Sequence, residues 1–205
     1  MEDHSRCGGK LHDGRRENPT VARFSQTRIV IFPKWLEGDL RTDHAGETGA
    51  VWMYRGILSV SSNPIVRDFA SRHMRTEKRH LYRIEDVLKP ASRSRLLPVW
   101  RVAGFITGLL PSLIGARWVF HTIEAVETFV DAHYEVQINR LETTADLDQD
   151  LAAVHAILVD CRADEIAHRD EAHEFARNRP GSFAMLWCAL VSFGSQVAVA
   201  CARRI

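Results

Sequence analysis

The chain has 205 residues, with 27 Lys+Arg balanced by 26 Asp+Glu, ten histidines and four cysteines. A near-zero charge argues against a protein built to coat nucleic acid, and the length fits one domain, or one domain with tails, that buries a sizeable core. Cys7, Cys161, Cys188 and Cys201 form no C-x-x-C pair and no zinc-finger spacing, so they read as free thiols in a reducing compartment rather than as a disulfide framework.

Residues 1–28 are polar, hold Gly8, Gly9 and Gly14, and show no secretory apolar region; they read as a flexible tail ahead of a folded unit over 29–205. Arg6, Arg15, Arg16, Arg23 and Arg28 would suit a mitochondrial transit segment, but Glu2, Asp3, Asp13 and Glu17 are unusual in one. The one short β-like run is RIVIF at 28–32. Beyond it the chain reads as long helices separated by proline. The first is expected over about 36–60. It ends at SSNP, where Asn63 can cap a second helix and Pro64 can occupy its first turn, running to about Leu88. A third is expected to begin after Pro111 and reach about Leu141, a fourth to run from about Asp146 to Arg177, and a fifth from about Ser182 to Arg204. Helices this long, several in a row, predict an all-α bundle.

Two stretches break the amphipathic pattern. Val102–Ala116 and Pro180–Ala202 hold no charged residue. The second is long enough to cross a bilayer, since ~20 helical residues span the ~30 Å hydrocarbon layer. Ser182, Ser192, Ser195 and Gln196 dilute its apolar character, however, and the first is short and carries Pro111. Two buried core helices are one explanation. The preferred one is a pair of helices, near 98–116 and 181–204, resting in the membrane interface. Arg95, Arg101, Arg117, Arg203 and Arg204 would then meet lipid phosphates. A transmembrane span ranks third.

The chemistry lies in two short stretches, TEKRH (76–80) and DEIAH (164–168). Each sets a glutamate three residues before a histidine: Glu77 with His80, and Glu165 with His168. Positions i and i+3 are neighbours on one helical face, so each pair can share a metal ion. Two such pairs alone also fit ordinary solvated helices. Glu47 on the first helix and Glu127 on the third change the weighing. The chain twice repeats a helix with a Glu, a reversal, and a helix with Glu-x-x-His, the ligand pattern of ferritin-like di-iron and di-manganese bundles. Four carboxylates carry −4 and two divalent ions +4, with neutral imidazoles adding nothing. Without metal, four inward carboxylates would repel one another at high desolvation cost. Oxygen and imidazole donors without thiolate suit iron or manganese better than structural zinc.

The stretches LRTDHAGETGAVWMYRG (40–56), EKRHL (77–81), AVETFVDAHYEVQINRL (125–141) and RADEIAHRDEA (162–172) resemble the demethoxyubiquinone hydroxylases, the membrane-associated di-iron monooxygenases of ubiquinone biosynthesis. The resemblance covers about residues 26–205. It implies a ferritin-like four-helix bundle with two Fe ions on Glu47, Glu77, His80, Glu127, Glu165 and His168, and a His133–Tyr134 pair beside them. It further implies O2 and a reduced nicotinamide as co-substrates, and a demethoxylated polyprenyl quinone or quinol as the molecule hydroxylated. No G-x-G-x-x-G turn after a strand encodes a nicotinamide domain, so a reductase partner or transient docking must supply electrons. A peripheral protein on the cytoplasmic face of a bacterial inner membrane, or the matrix face of the mitochondrial one, fits this substrate. A lipid-presenting or other ubiquinone-biosynthesis partner protein and a homo-oligomer fit it too, with no nucleic acid. Arg169 departs from the family pattern, which calls for a second histidine there, and so does Trp52-Met53.

Other residues carry weaker expectations. Glu124, one turn before Glu127, reads as a surface or supporting charge ahead of a ligand, and His44 as structural or supporting. Asp164 or Asp170 can hydrogen-bond a ligand imidazole. His73, His155 and His173 read as ordinary helix-face residues, and Trp100, Trp118 and Trp187 as markers of interfacial depth or as core. Two other functions stay open: a ferritin-like iron-oxidising or iron-handling protein without organic substrate, and a metal-free helical module that binds membranes or a partner.

Overall fold

The computed structural model describes residues 32–144 and 148–205. Six α-helices and one 3-10 turn make up its regular structure: α1 (Lys34–Val60), α2 (Pro64–Val87), α3 (Leu97–Ile114), α4 (Ala116–Glu142), α5 (Gln149–Ala176) and α6 (Ser182–Ala202). Helices α1, α2, α4 and α5 form a ferritin-like bundle; α3 lies along α1, and α6 lies across α4 and α1. The expected tail over 1–28, nearly all of the RIVIF run and the proposed helix start at Asp146 lie outside the described residues.

Local chemistry sets the boundaries. Asn63 accepts from the backbone N–H groups of Ile65 and Val66, with Pro64 at the first helical position of α2. Asp148 accepts in the same way from Asp150 and Leu151 at the start of α5. One expected boundary is wrong. Pro111 does not precede a helix but sits inside α3, where it forgoes one hydrogen bond to the turn before it. The break falls at Gly115, whose φ of 145° suits a residue without Cβ.

The core is split in two. At one end of the bundle Leu36, Leu40, Ile84, Tyr134, Leu141, Val154 and Leu158 pack together. At the other end Tyr54, Ile57, Phe69, Phe120, Ile123 and Ala172 do so. On all four bundle helices the gap between the two clusters is filled by acidic and imidazole side chains: Glu47, Glu77 with His80, Glu127, and Glu165 with His168, all buried.

Helix α3 meets α1 backbone to backbone. A Cβ on Gly104 would collide with the carbonyl of Gly49, one on Gly108 with the carbonyl of Met53, and one on Gly56 with the carbonyl of Phe105. Small residues at this spacing let two helices approach far closer than larger side chains allow. Beyond Ala202, Arg203 pairs with the buried carboxylate of Asp39, and the Arg95 N–H donates to the Ile205 carbonyl, which ties the end of α6 to α1 and to the start of α3.

The outer faces of α3 and α6 stay open. Only 11% of the apolar window of each is buried, so the explanation by fully buried core helices is overturned. Val102, Leu113 and Ile114 on α3, and Phe183, Leu186 and Phe193 on α6, are all more than half exposed.

Candidate metal centre

The i, i+3 spacing on α2 and α5 turns Glu77 with His80, and Glu165 with His168, into the bundle, where Glu47 and Glu127 meet them from α1 and α4. Two overlapping groups result. One is Glu47, Glu77, His80 and Glu165, and the other is Glu77, Glu127, Glu165 and His168. Within each, one donor atom per residue lies within 4.8 Å of all the others. All six residues singled out from the sequence therefore converge, and Glu77 and Glu165 belong to both groups.

The donor atoms that face the shared space are the ones left without hydrogen bonds: Glu47 Oε2, Glu77 Oε1, both oxygens of Glu165, and Nδ1 of His80 and His168. His80 Nδ1 lies 3.0 Å from Glu165 Oε1, and His168 Nδ1 lies 3.0 Å from Glu77 Oε1, yet neither approach is aligned as a hydrogen bond. Orphaned buried donors of this kind are costly unless something completes them. A pair of cations fits that requirement, and the oxygen and nitrogen donor set suits iron or manganese.

The opposite atoms of several of these side chains are held. His80 Nε2 sits 2.9 Å from Asp164 Oδ2, which holds a proton on Nε2 and turns Nδ1 toward the carboxylates. Tyr134 donates its hydroxyl to Glu47 Oε1, and Tyr54 donates to Glu127 Oε1 at 3.2 Å. Of the two expected helpers of the imidazoles, Asp164 acts on His80, whereas Asp170 pairs with Arg169.

Burial sets the charge states. It pushes the Glu47 carboxyl up to about 8, against the pull of His80. It also raises Glu127 well above the usual range, helped by the Glu165 and Glu77 charges. Burial opposes the charged form at Glu77 too, but the close approach and attraction of the His168 and His80 imidazoles outweigh it and hold Glu77 low. His80 and His168 are raised despite burial because carboxylates surround them, His168 to about 11.

A cavity of about 350 Å³ adjoins this cluster, and Glu47, Glu77, Glu127 and Glu165 are among its walls. The remaining walls are mostly apolar, from Val126 and Val130 on α4, Ala103 and Gly104 on α3, and Leu190 and Val191 on α6. Trp100 and Trp187 line it as well, and Trp187 Nε1 donates to Thr122 Oγ1 at 2.9 Å. These two tryptophans, expected to mark interfacial depth or to belong to the core, both border this cavity.

His133 also lines the cavity. Thr42 Oγ1 spends its proton on the Asp39 carbonyl, so it accepts from His133 Nε2, which must carry the ring proton. His44 is occupied by Glu85 at 3.1 Å, and Glu124 by His173 at 2.8 Å; neither joins the two groups. His73 departs from expectation. It is not a helix-face residue but is buried, its ring 4.0 Å from that of His168 and its Nε2 2.8 Å from Glu171 Oε2. Burial and the neighbouring His168 push it down to about 4. His73 lies on the inward stripe of α2 with Glu77 and His80, four positions before Glu77, and that i, i+4 spacing was the signal available in the sequence. The departures at Arg169 and Trp52 lie apart from the donors: Arg169 binds Asp131 at 2.6 Å, and Trp52 packs edge-on to Phe105.

The model of the family described as "Ubiquinone biosynthesis protein COQ7" matches residues 34–202. A Dictyostelium discoideum protein named NADPH-dependent 3-demethoxyubiquinone 3-hydroxylase, mitochondrial, is 32% identical over 65% of this chain and 61% of its own length. A Rhodospirillum rubrum protein named 3-demethoxyubiquinol 3-hydroxylase is 30% identical over 81% of this chain and 76% of its own. A Rattus norvegicus protein with the same name as the Dictyostelium one is 30% identical over 80% of this chain and 76% of its own.

Proposed function

Because the chain belongs to the ubiquinone biosynthesis protein COQ7 family, we propose that it is an O2-dependent monooxygenase that hydroxylates the ring of a demethoxylated polyprenyl quinol. The observation that carries this reading is the contact between six convergent metal-donor residues, five of them with an unpartnered buried donor atom, and an apolar cavity large enough for a substituted ring. Glu47, Glu77, His80, Glu127, Glu165 and His168 would hold two iron ions, with Glu77 and Glu165 shared between them. When bound, the irons supply reductive activation of O2 for insertion of one oxygen atom into the ring, which protein side chains alone cannot perform.

The protein's own groups position and exclude. Tyr134 and Tyr54 restrain one oxygen each of Glu47 and Glu127, and Glu47 Oε2 is left free. Asp164 fixes the His80 tautomer. The apolar walls keep bulk water from the reacting ring. The exposed apolar faces of α3 and α6 would seat the protein in the membrane interface, peripheral to the cytoplasmic or matrix leaflet, where a polyprenyl tail resides. Relatives named NADPH-dependent support a reduced nicotinamide as the electron source. A reductase or a lipid-presenting partner would meet the protein at that membrane.

The test is a single turnover. Iron-loaded protein is reduced anaerobically, then given O2 with and without a short-tail demethoxyquinol. Two irons per chain and a ring product carrying one added oxygen are expected. Iron oxidation with no ring product, even with quinol present, would point instead to an iron-handling protein.

Metal uptake should depend on pH in a defined sense. In the metal-free protein at pH 7 the raised carboxyls of Glu47 and Glu127 hold protons, and the raised imidazoles of His80 and His168 are charged. Ligands must be deprotonated, so loading releases on the order of four protons. Affinity for ferrous or manganous ion therefore rises with pH between 6 and 8. Titration calorimetry in two buffers of different ionisation enthalpy reads the proton count, and uptake without proton release would contradict these charge states.

A further inference from the structure

The two donor groups share Glu77 and Glu165, so what separates them is the remaining pair in each: Glu47 with His80, and Glu127 with His168. These pairs are supported unequally from behind. Asp164 sets a carboxylate oxygen 2.9 Å from His80 Nε2, and Arg79 holds that same oxygen in place at 2.8 Å. His168 has no counterpart to Asp164. Among the described residues, its Nδ1 faces Glu77 and Glu165, and the ring of His73 stands edge-on at 4.0 Å, but no carboxylate meets its Nε2. The unshared glutamates differ in the same sense. Tyr134 donates to Glu47 Oε1 at 2.5 Å, and Tyr54 donates to Glu127 Oε1 at 3.2 Å. Glu47 keeps Oε2 buried and unpartnered, whereas neither oxygen of Glu127 is in that state.

A carboxylate behind a ligand imidazole fixes the tautomer and orientation of the ring and strengthens the nitrogen that faces the metal. A donor already held in place also loses less freedom when an ion arrives. Both effects favour one side of the cluster. Resting on the metal-dependent function proposed above, we infer that the two metal positions are unequal: the one at Glu47 and His80 fills first and holds its ion, the one at Glu127 and His168 fills second and exchanges, and Asp164 sets the difference. Asp164 is a positioning residue, since it lies outside both donor groups and acts through His80. Because the proposed reaction uses both ions, the weaker position decides how turnover follows the supply of metal.

The probe is Mn(II), titrated anaerobically into full-length metal-free protein, with free and bound ion separated by electron paramagnetic resonance. A second ion meets the charge of the first whichever position fills first, so stepwise uptake by wild type does not identify the tight one. Single-site variants do. His168→Ala keeps the whole Glu47, Glu77, His80, Glu165 group, and His80→Ala keeps the whole Glu77, Glu127, Glu165, His168 group. The ion left in His168→Ala is expected to bind ~10-fold or more tightly than the ion left in His80→Ala, the scale of one supporting partner. Asp164→Asn keeps an oxygen for His80 Nε2 and removes the charge. Introduced into His168→Ala it should weaken the remaining ion by ~10-fold; introduced into His80→Ala it should change nothing, whereas general loosening of the bundle would weaken both. In otherwise wild-type protein, where no metal donor is altered, Asp164→Asn should lower the first binding constant and leave the second, so the two steps draw together. Equal affinities in the two histidine variants, a tighter ion in His80→Ala, or an unchanged gap between the two steps in Asp164→Asn would each overturn the inference. Wild type that takes up no Mn(II) would instead overturn the metal-centre reading beneath it.

Discussion

Glu165→Ala protein is expected to lose both metal ions and to hydroxylate its quinol at least about 10³-fold more slowly, since metal-derived stabilisation of several kcal/mol disappears. The reason is its place in the cluster. Glu165 belongs to both donor groups, and both of its oxygens are free of hydrogen bonds. His168 belongs to one group only, so His168→Ala should retain close to one metal per chain while also losing turnover. Helical content should hold in Glu165→Ala, because removing one carboxylate from a buried acidic cluster relieves repulsion in the metal-free protein. Arg169→Ala is the control. Its guanidinium meets Asp131 and Asp170 at a partly exposed site, so its loss should cost no more than about 1 kcal/mol and leave metal content and turnover intact. Metal analysis beside product formation checks all three, and full iron content in Glu165→Ala would refute the shared-ligand arrangement.

Gly108→Leu is expected to lever α3 away from α1. A Cβ there would fall on the Met53 carbonyl and lie 3.1 Å from Cγ1 of Ile57. A backbone carbonyl cannot swing aside as a side-chain tip can, so the helices must separate. Overpacking of this kind costs about 1–3 kcal/mol or more, which for a chain of this size lowers Tm by ~2–12 °C. None of the six metal donors lies on α3, whereas Trp100, Ala103, Gly104 and Thr107 of the cavity wall do. Gly108→Leu protein should therefore keep its iron and lose quinol turnover and binding to vesicles. Thermal melts, iron content and vesicle sedimentation together test this. An unshifted Tm with wild-type vesicle binding would show that the close crossing does not matter.

The convergence of six carboxylate and imidazole residues was legible in the sequence because helical periodicity places Glu77 beside His80 and Glu165 beside His168, and the repeat then points to Glu47 and Glu127. The start of α2 was equally legible, since Asn63-Pro64 states its cap in two residues. What could not be read is what depends on pairing between distant helices. The close crossing at Gly104 and Gly108 exists only because Gly49 and Met53 of α1 lie behind them. His73 looked like any helix-face histidine, because its burial comes from Phe69 on its own helix together with His168 and Glu171 on α5. Pro111 was read as a boundary because proline usually is one, but Gly115 provides the actual break. Asp43 sits within the DHAGE stretch that carried the resemblance, yet its unshared oxygen becomes visible only once Gln137 and His133 are placed against the other one.

The division of the hydrophobic interior into two clusters, one on either side of the acidic belt, bears on the order in which the molecule is assembled. Each cluster draws side chains from all four bundle helices, so each can consolidate while the belt between them is still empty. On the proposed reading, metal loading would then be a late finishing step performed on an architecture that already stands, unlike small zinc domains, whose very shape waits on the ion.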